Sequence, residues 1–226
     1  MTLFAKRQES SRKGALGATG VTGAVRALLR PLAAAGLLAM ASTVGADTVK
    51  APYWVSNDCM VCHGMRGGST TYNVIPRLAG QHKSYIVGEL TKFKAQTRRD
   101  QNGQLFMWPV AEGLTTAQIN EVATYFSSQK PGMQASGVQH AGVAEGKAIF
   151  MNGVAATQIP ACAECHGANA KGAGIFPQIA GQRYEYIVRQ LIYFKNGTRK
   201  NQLMNQIVKP ITRSQMKAVA AYLASL

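Results

Sequence analysis

The run Cys59-Met60-Val61-Cys62-His63 returns as Cys162-Ala163-Glu164-Cys165-His166, and the two copies use every cysteine in the chain. A Cys-x-x-Cys-His run is the attachment signature of c-type haem. Two thiols at this spacing sit on one turn of chain and can add to the two vinyl groups of a porphyrin. The histidine that follows is then placed to ligate the iron from the same face. Two such runs imply two covalently attached haem c groups, held by Cys59, Cys62, Cys162 and Cys165, with His63 and His166 on the irons.

Other chemistry of paired cysteines fits less well. A zinc ribbon also uses two Cys-x-x-Cys knuckles, but usually close together. Here about a hundred residues separate Cys62 from Cys165, and zinc gives no reason for a histidine after both pairs. A thioredoxin-like redox motif needs a βαβ setting, and no β-rich run flanks either pair.

The residues around the two motifs repeat as well, and internal repeats decide architecture. Ile75-Pro76-Arg77-Leu78-Ala79-Gly80-Gln81 returns as Phe176-Pro177-Gln178-Ile179-Ala180-Gly181-Gln182. Tyr85, Leu90, Phe93, Thr97 and Arg98 return as Tyr186, Leu191, Phe194, Thr198 and Arg199. With one four-residue gap, Met107 falls on Met204, Leu114 on Ile211 and Tyr125 on Tyr222. This reads as two domains, 47–132 and 133–226, joined by a linker at about 130–142 rich in Pro and Gly. Domains of about ninety residues have thin cores, and a haem in each would supply much of the missing apolar surface.

The periodicity is helical throughout, an all-α pattern. Ile86, Leu90 and Phe93 form an apolar stripe over 84–94, repeated by Ile187, Leu191 and Phe194 over 185–195. Thr115-x-x-Gln118 and Thr212-x-x-Gln215 read as capping boxes opening the last helix of each half. A further helix is expected over 144–152. These stripes are also what ordinary core packing requires.

Each iron needs a second axial ligand or an open face. Met107 and Met204 are the methionines that coincide when the halves are aligned, each eight residues before its capping threonine and each expected in a loop. A lone core methionine usually fills a gap; matched positions in two haem units favour iron ligation. His82 is the alternative on the first haem, but it aligns with Arg183. His140 falls in the linker and is expected to be solvated. A ligating histidine donates its other ring N–H to an acceptor, and the carbonyls of Pro76 and Pro177 are candidates. Gln81, Arg98, Gln182 and Arg199 could meet the haem propionates or simply face water.

Residues 1–46 read as an export signal. Lys6, Arg7, Arg12, Lys13, Arg26 and Arg30 precede an uncharged run, and small residues Val44-Gly45-Ala46 offer a cleavage site before Asp47. The competing reading is a membrane anchor, but sixteen uncharged residues fall short of a span. The chain carries +15, of which +10 lies beyond residue 46. Such charge suits acidic partner proteins or peripheral contact with the membrane surface. The basic residues are scattered, not striped, and nucleic acid is not expected.

The doubled Cys-x-x-Cys-His, Pro-x-Leu/Ile-Ala-Gly-Gln, late Met and aromatic last helix together resemble the di-haem class I cytochromes c, in particular the cytochrome c4 group. The resemblance covers essentially all of 47–226. It implies two tandem class I cytochrome c domains related by a pseudo-twofold axis. It also implies a periplasmic electron carrier between a quinol-oxidising complex or dehydrogenase and a terminal oxidase. A haem subunit of a larger membrane-bound dehydrogenase or oxidase is the alternative, and a di-haem peroxidase a more distant one. One departure stands out. The first half has twelve residues (47–58) ahead of its motif where the second has twenty (142–161). Its first helix is expected to be missing or cut to a turn, with Tyr53 and Trp54 covering the gap.

Overall fold

The computed structural model describes residues 49–68, 72–131 and 140–226. The expected export signal and most of the expected linker lie outside these residues. Among the described residues the secondary structure is helical, with two isolated β-bridges, Val154 with Ile159 and Ala173 with Phe176, and no strand. No described helix is long and apolar enough to cross a membrane.

The first half runs α1 (Met60–His63), α2 (Lys83–Lys94), α3 (Trp108–Glu112) and α4 (Thr116–Ser128). The second half runs α5 (Val143–Asn152), α6 (Ala163–His166), α7 (Tyr184–Lys195), α8 (Gln202–Ile207) and α9 (Arg213–Ala224). Both capping boxes form. Thr115 and Thr212 accept from the backbone N–H of Gln118 and Gln215, and each glutamine side chain accepts from its threonine's N–H. These bonds satisfy N–H groups that a helix start otherwise leaves without partners.

The cores follow the expected stripes. Ile86, Leu90, Leu114, Ile119, Val122, Tyr125 and Phe126 are buried together in the first half. In the second half Ile149, Phe150, Ile187, Val219, Tyr222 and Leu223 form one cluster, and Ile159, Phe194, Val208, Ile211 and Met216 another.

The two halves differ where the sequence does. α5 packs on α9 with Gly146 against Ala218: a Cβ on Gly146 would stand 1.9 Å from the Ala218 carbonyl oxygen. No residue but glycine allows that approach. The first half has no counterpart of α5 among the described residues. A helical turn, Val55–Cys59, runs straight into α1, and Val55 is fully buried. The expected cover is therefore half right. Trp54 packs on the core, whereas Tyr53 is exposed. The surface of α4 has adapted: Glu121 and Thr124, which align with the buried Ala218 and Ala221, are polar and exposed.

Candidate haem sites and the seam between them

Each attachment turn is short and ends on a glycine. Gly64 and Gly167 take φ 74° with ψ 152° and 153°, a conformation that a side chain would strain. The loop beyond is pinned to the Pro-x-Leu/Ile-Ala segment. Gly67 O accepts from Leu78 N and Ala79 N, and Ala170 O accepts from Ile179 N and Ala180 N. These loop positions are size-matched to the last helix. A Cβ on Gly67 would lie 2.7 Å from Phe126, whereas in the second half Ala170 occurs with the smaller Leu223 at the position of Phe126. Tyr125 Oη further ties the first loop by donating to Met65 O at 3.0 Å.

That pinning brings each proline carbonyl to its histidine. His63 Nδ1 is 3.0 Å from Pro76 O, and His166 Nδ1 is 3.1 Å from Pro177 O. A ring nitrogen facing a carbonyl must donate to it, so Nε2 keeps its lone pair for a metal. Burial lowers the pKa of both imidazoles, outweighing the opposite pull of the proline carbonyls. Both rings are thus neutral at pH 7, the form that ligates.

None of the four cysteines is in a disulfide. Cys59 and Cys162 pack on the apolar clusters, and burial pushes each thiol up to about 11. Met107 packs on the same cluster as Cys59. Met204 lies on the cluster of Ile159, Phe194, Val208, Ile211 and Met216, while Cys162 lies on the other, and Val154 and Leu191 touch both. An apolar interior divided in this way, with thiols, a neutral imidazole and a thioether around it, fits a covalently held porphyrin.

Neither methionine is in a loop, contrary to expectation. Met107 ends a wide helical turn, Gly103–Met107, that continues into α3, and Met204 lies inside α8. The reason is capping. Asp100 accepts from Gly103 N at 3.2 Å, and Asn201 accepts from Met204 N at 2.9 Å. Trp108 Nε1 adds a bond to Arg98 O at 2.9 Å. His140 is stacked on Tyr184, centroids 3.8 Å apart, where solvation was expected. His82 is turned outward to Lys171 O at 2.8 Å.

Gln81, Arg98, Gln182 and Arg199 are buried, and all four bond across the seam between the halves. Arg98 reaches Glu89 (2.5 Å), Asp100 (2.7 Å) and Gln190 (3.1 Å). Arg199 reaches Gln190 (2.6 Å), Tyr85 (2.8 Å) and Glu89 (2.8 Å). Each guanidinium also lies over a ring of its own half, Phe93 or Phe194, at 4.5 Å. Burial alone would raise the Glu89 pKa, but Arg199, Arg98 and Lys92 hold it far below the usual carboxylate range. Sequence reasoning passed over Glu89, Gln190 and Asp100. The signal was available: Glu89 and Gln190 occupy the same place in the repeat, charged in one half and neutral in the other.

The family model described as Cytochrome c matches residues 50–130 and again 143–226. The chain belongs to the cytochrome c family. It is 60% identical over 185 residues to cytochrome c-552 of Acidithiobacillus ferridurans, covering 82% of this chain and 80% of that one. It is 35% identical over 201 residues to the thiosulfate dehydrogenase electron acceptor of Thiomonas intermedia (strain K12), covering 87% and 90%. The solved structure of Acidithiobacillus ferrooxidans cytochrome c4 superposes with a TM-score of 0.73 at 62% identity, covering 76% of this chain and 99% of that one. The chain is a cytochrome c4-like, di-haem electron carrier and not an enzyme, with two haem c groups on Cys59/Cys62 and Cys162/Cys165.

Proposed function

We propose that each half holds its iron between imidazole and thioether, His63 with Met107 and His166 with Met204, and that the molecule relays single electrons through the periplasm. The observation that carries this is the doubled arrangement of a neutral histidine, buried in the first half and half-buried in the second, fixed by a proline carbonyl, with a matched methionine in the same half. When bound, each haem supplies a one-electron iron couple. The chain does the rest. The Pro76 and Pro177 carbonyls fix ring orientation, the apolar clusters keep water off, and the thioether favours the reduced iron. With His63 and Met107 on one iron and His166 and Met204 on the other, no position would be left for a substrate.

The domain bounds 47–132 and 133–226 and removal of 1–46 on export belong to the same reading. The relative named as an electron acceptor of thiosulfate dehydrogenase favours a dehydrogenase as donor. A terminal oxidase on the other side completes the route. The net charge of +10 beyond residue 46 speeds weak, brief docking on acidic redox partners. Service as a fixed haem subunit of such a dehydrogenase is the second reading, favoured by the same relative. Mixing the reduced holoprotein with peroxide and with carbon monoxide tests the carrier reading. Neither reagent should turn over or change the spectrum on the timescale of electron transfer. Rapid peroxide turnover, or carbon monoxide binding to either iron, would refute it.

A further inference from the structure

The two loops that hold the histidines are joined by a reciprocal pair of glutamines. Gln182 Oε1 accepts from Arg77 N at 2.9 Å, and its Nε2 donates to Arg77 O at 3.0 Å. Gln81 does the same to Gln178, at 2.9 and 2.8 Å. Both glutamines are 6% exposed, and the residues they meet, Arg77 and Gln178, are half-buried. Arg77 and Gln178 directly follow Pro76 and Pro177. The Pro76 carbonyl that takes the His63 ring proton and the Arg77 N–H that meets Gln182 are therefore two ends of one peptide group. The Pro177–Gln178 peptide stands in the same way between His166 and Gln81. Each histidine thus leads, through a single peptide, to a side chain of the opposite half.

Hydrogen bonds in such a series polarise one another. An N–H given to an amide oxygen leaves the carbonyl of the same peptide a stronger acceptor. A stronger acceptor draws the ring proton and makes the metal-facing nitrogen a better donor. We infer that Gln81 and Gln182 are positioning residues that set the redox poise of the opposite half: Gln182 acts on the iron of His63, and Gln81 on the iron of His166. This rests on the proposed ligation by His63 and His166. A more basic histidine stabilises ferric iron, so each glutamine lowers the potential of the haem across the seam.

The test uses the full holoprotein with Gln182→Met and Gln81→Met, which keep most of the side-chain volume and remove both bonds across the seam, together with the one each Oε1 accepts from the next N–H of its own chain segment, Arg183 or His82. The potentials are read by spectroelectrochemistry. Haem methyl resonances are assigned to each half through a Met107→His variant. Gln182→Met should shift the first-half haem about threefold toward ferrous at fixed applied potential, about 28 mV at 59 mV per decade, and leave the second-half haem in place. Gln81→Met should do the reverse. Gln182→Glu keeps an acceptor for Arg77 N and should move the first haem toward ferric, a change of sign that mere loosening of the seam does not produce. Gln182→Asn, too short to reach Arg77, serves if the methionine variant does not load haem. Shifts confined to the substituted half, equal in both halves or absent would overturn the inference. If the unsubstituted ferric protein lacks the far-red thioether band, the methionine part of the ligation reading fails, while crossed shifts would still uphold this inference, which runs through the histidines alone. Uncrossed shifts with the band intact overturn the inference alone.

Discussion

Glu89→Gln is the most telling perturbation of the seam. The carboxylate accepts from Lys92 (2.9 Å), Arg98 (2.5 Å) and Arg199 (2.8 Å). Both arginine side chains are 7% exposed and the glutamate 11%, so solvent screens little of the interaction. Glu89 and Asp100 together balance the two guanidiniums. The glutamine variant is nearly isosteric but leaves two buried cations facing one carboxylate. Losing one partner of a buried pair costs about 3–5 kcal/mol, and the hydrogen bond a glutamine retains offsets about 1 kcal/mol of it. The expected loss is about 3 kcal/mol, or roughly 6–12 °C in Tm for a chain of this size. The repeat supplies a control. Gln190 holds the aligned position and already touches both arginines. The exchange Glu89→Gln/Gln190→Glu returns the charge from the other side and should restore all but about 1 kcal/mol. Thermal unfolding of the holoprotein followed by circular dichroism reads both variants. A single substitution costing under about 1 kcal/mol, or an exchange no more stable than the single variant, would refute the charge balance described here.

Because Glu89 is held well below its ordinary 4.5, its contribution is complete above that pH and is lost as the pH falls toward the folded value. Acid titration of stability should therefore steepen below about 4.5, and Glu89→Gln should flatten that slope. Gly146→Ala forces α5 away from Ala218 and should cost about 1–3 kcal/mol, with the unfolding of the second half moved to lower temperature. Cys59→Ser/Cys62→Ser should halve the covalent haem stain under denaturing conditions, with the remaining haem on the peptide containing Cys162 and Cys165.

Much of the fold was legible because the chain states it twice. The apolar stripes and the capping boxes each appear at matched positions, the short lead into the first motif stands out against the longer second one, and the helices form where those signals stand. The proline carbonyls could be named as partners of the histidines because the prolines open the same repeated motif, Pro-x-Leu/Ile-Ala-Gly-Gln, a short loop beyond each attachment site. What the sequence did not yield are features that depend on the halves meeting. Arg98, Arg199, Gln81 and Gln182 look like surface or propionate residues in a single repeat; their partners across the seam lie about a hundred positions away, and no local pattern encodes that. Met107 and Met204, expected in loops, lie in helical segments because Asp100, Gly103 and Asn201 stand where short helices begin. Two of these residues, Asp100 and Asn201, are caps that start short helices.

The far-red absorption of the ferric holoprotein, measured alongside Met107→Ala and Met204→Ala, bears most directly on how the irons are held. A thioether on each iron predicts a band that falls by about half in either variant and vanishes when both are combined, with two covalent haems per chain throughout. A band unchanged in Met107→Ala or in Met204→Ala would contradict paired imidazole–thioether ligation, and with it the closed, electron-only site on which the functional account stands.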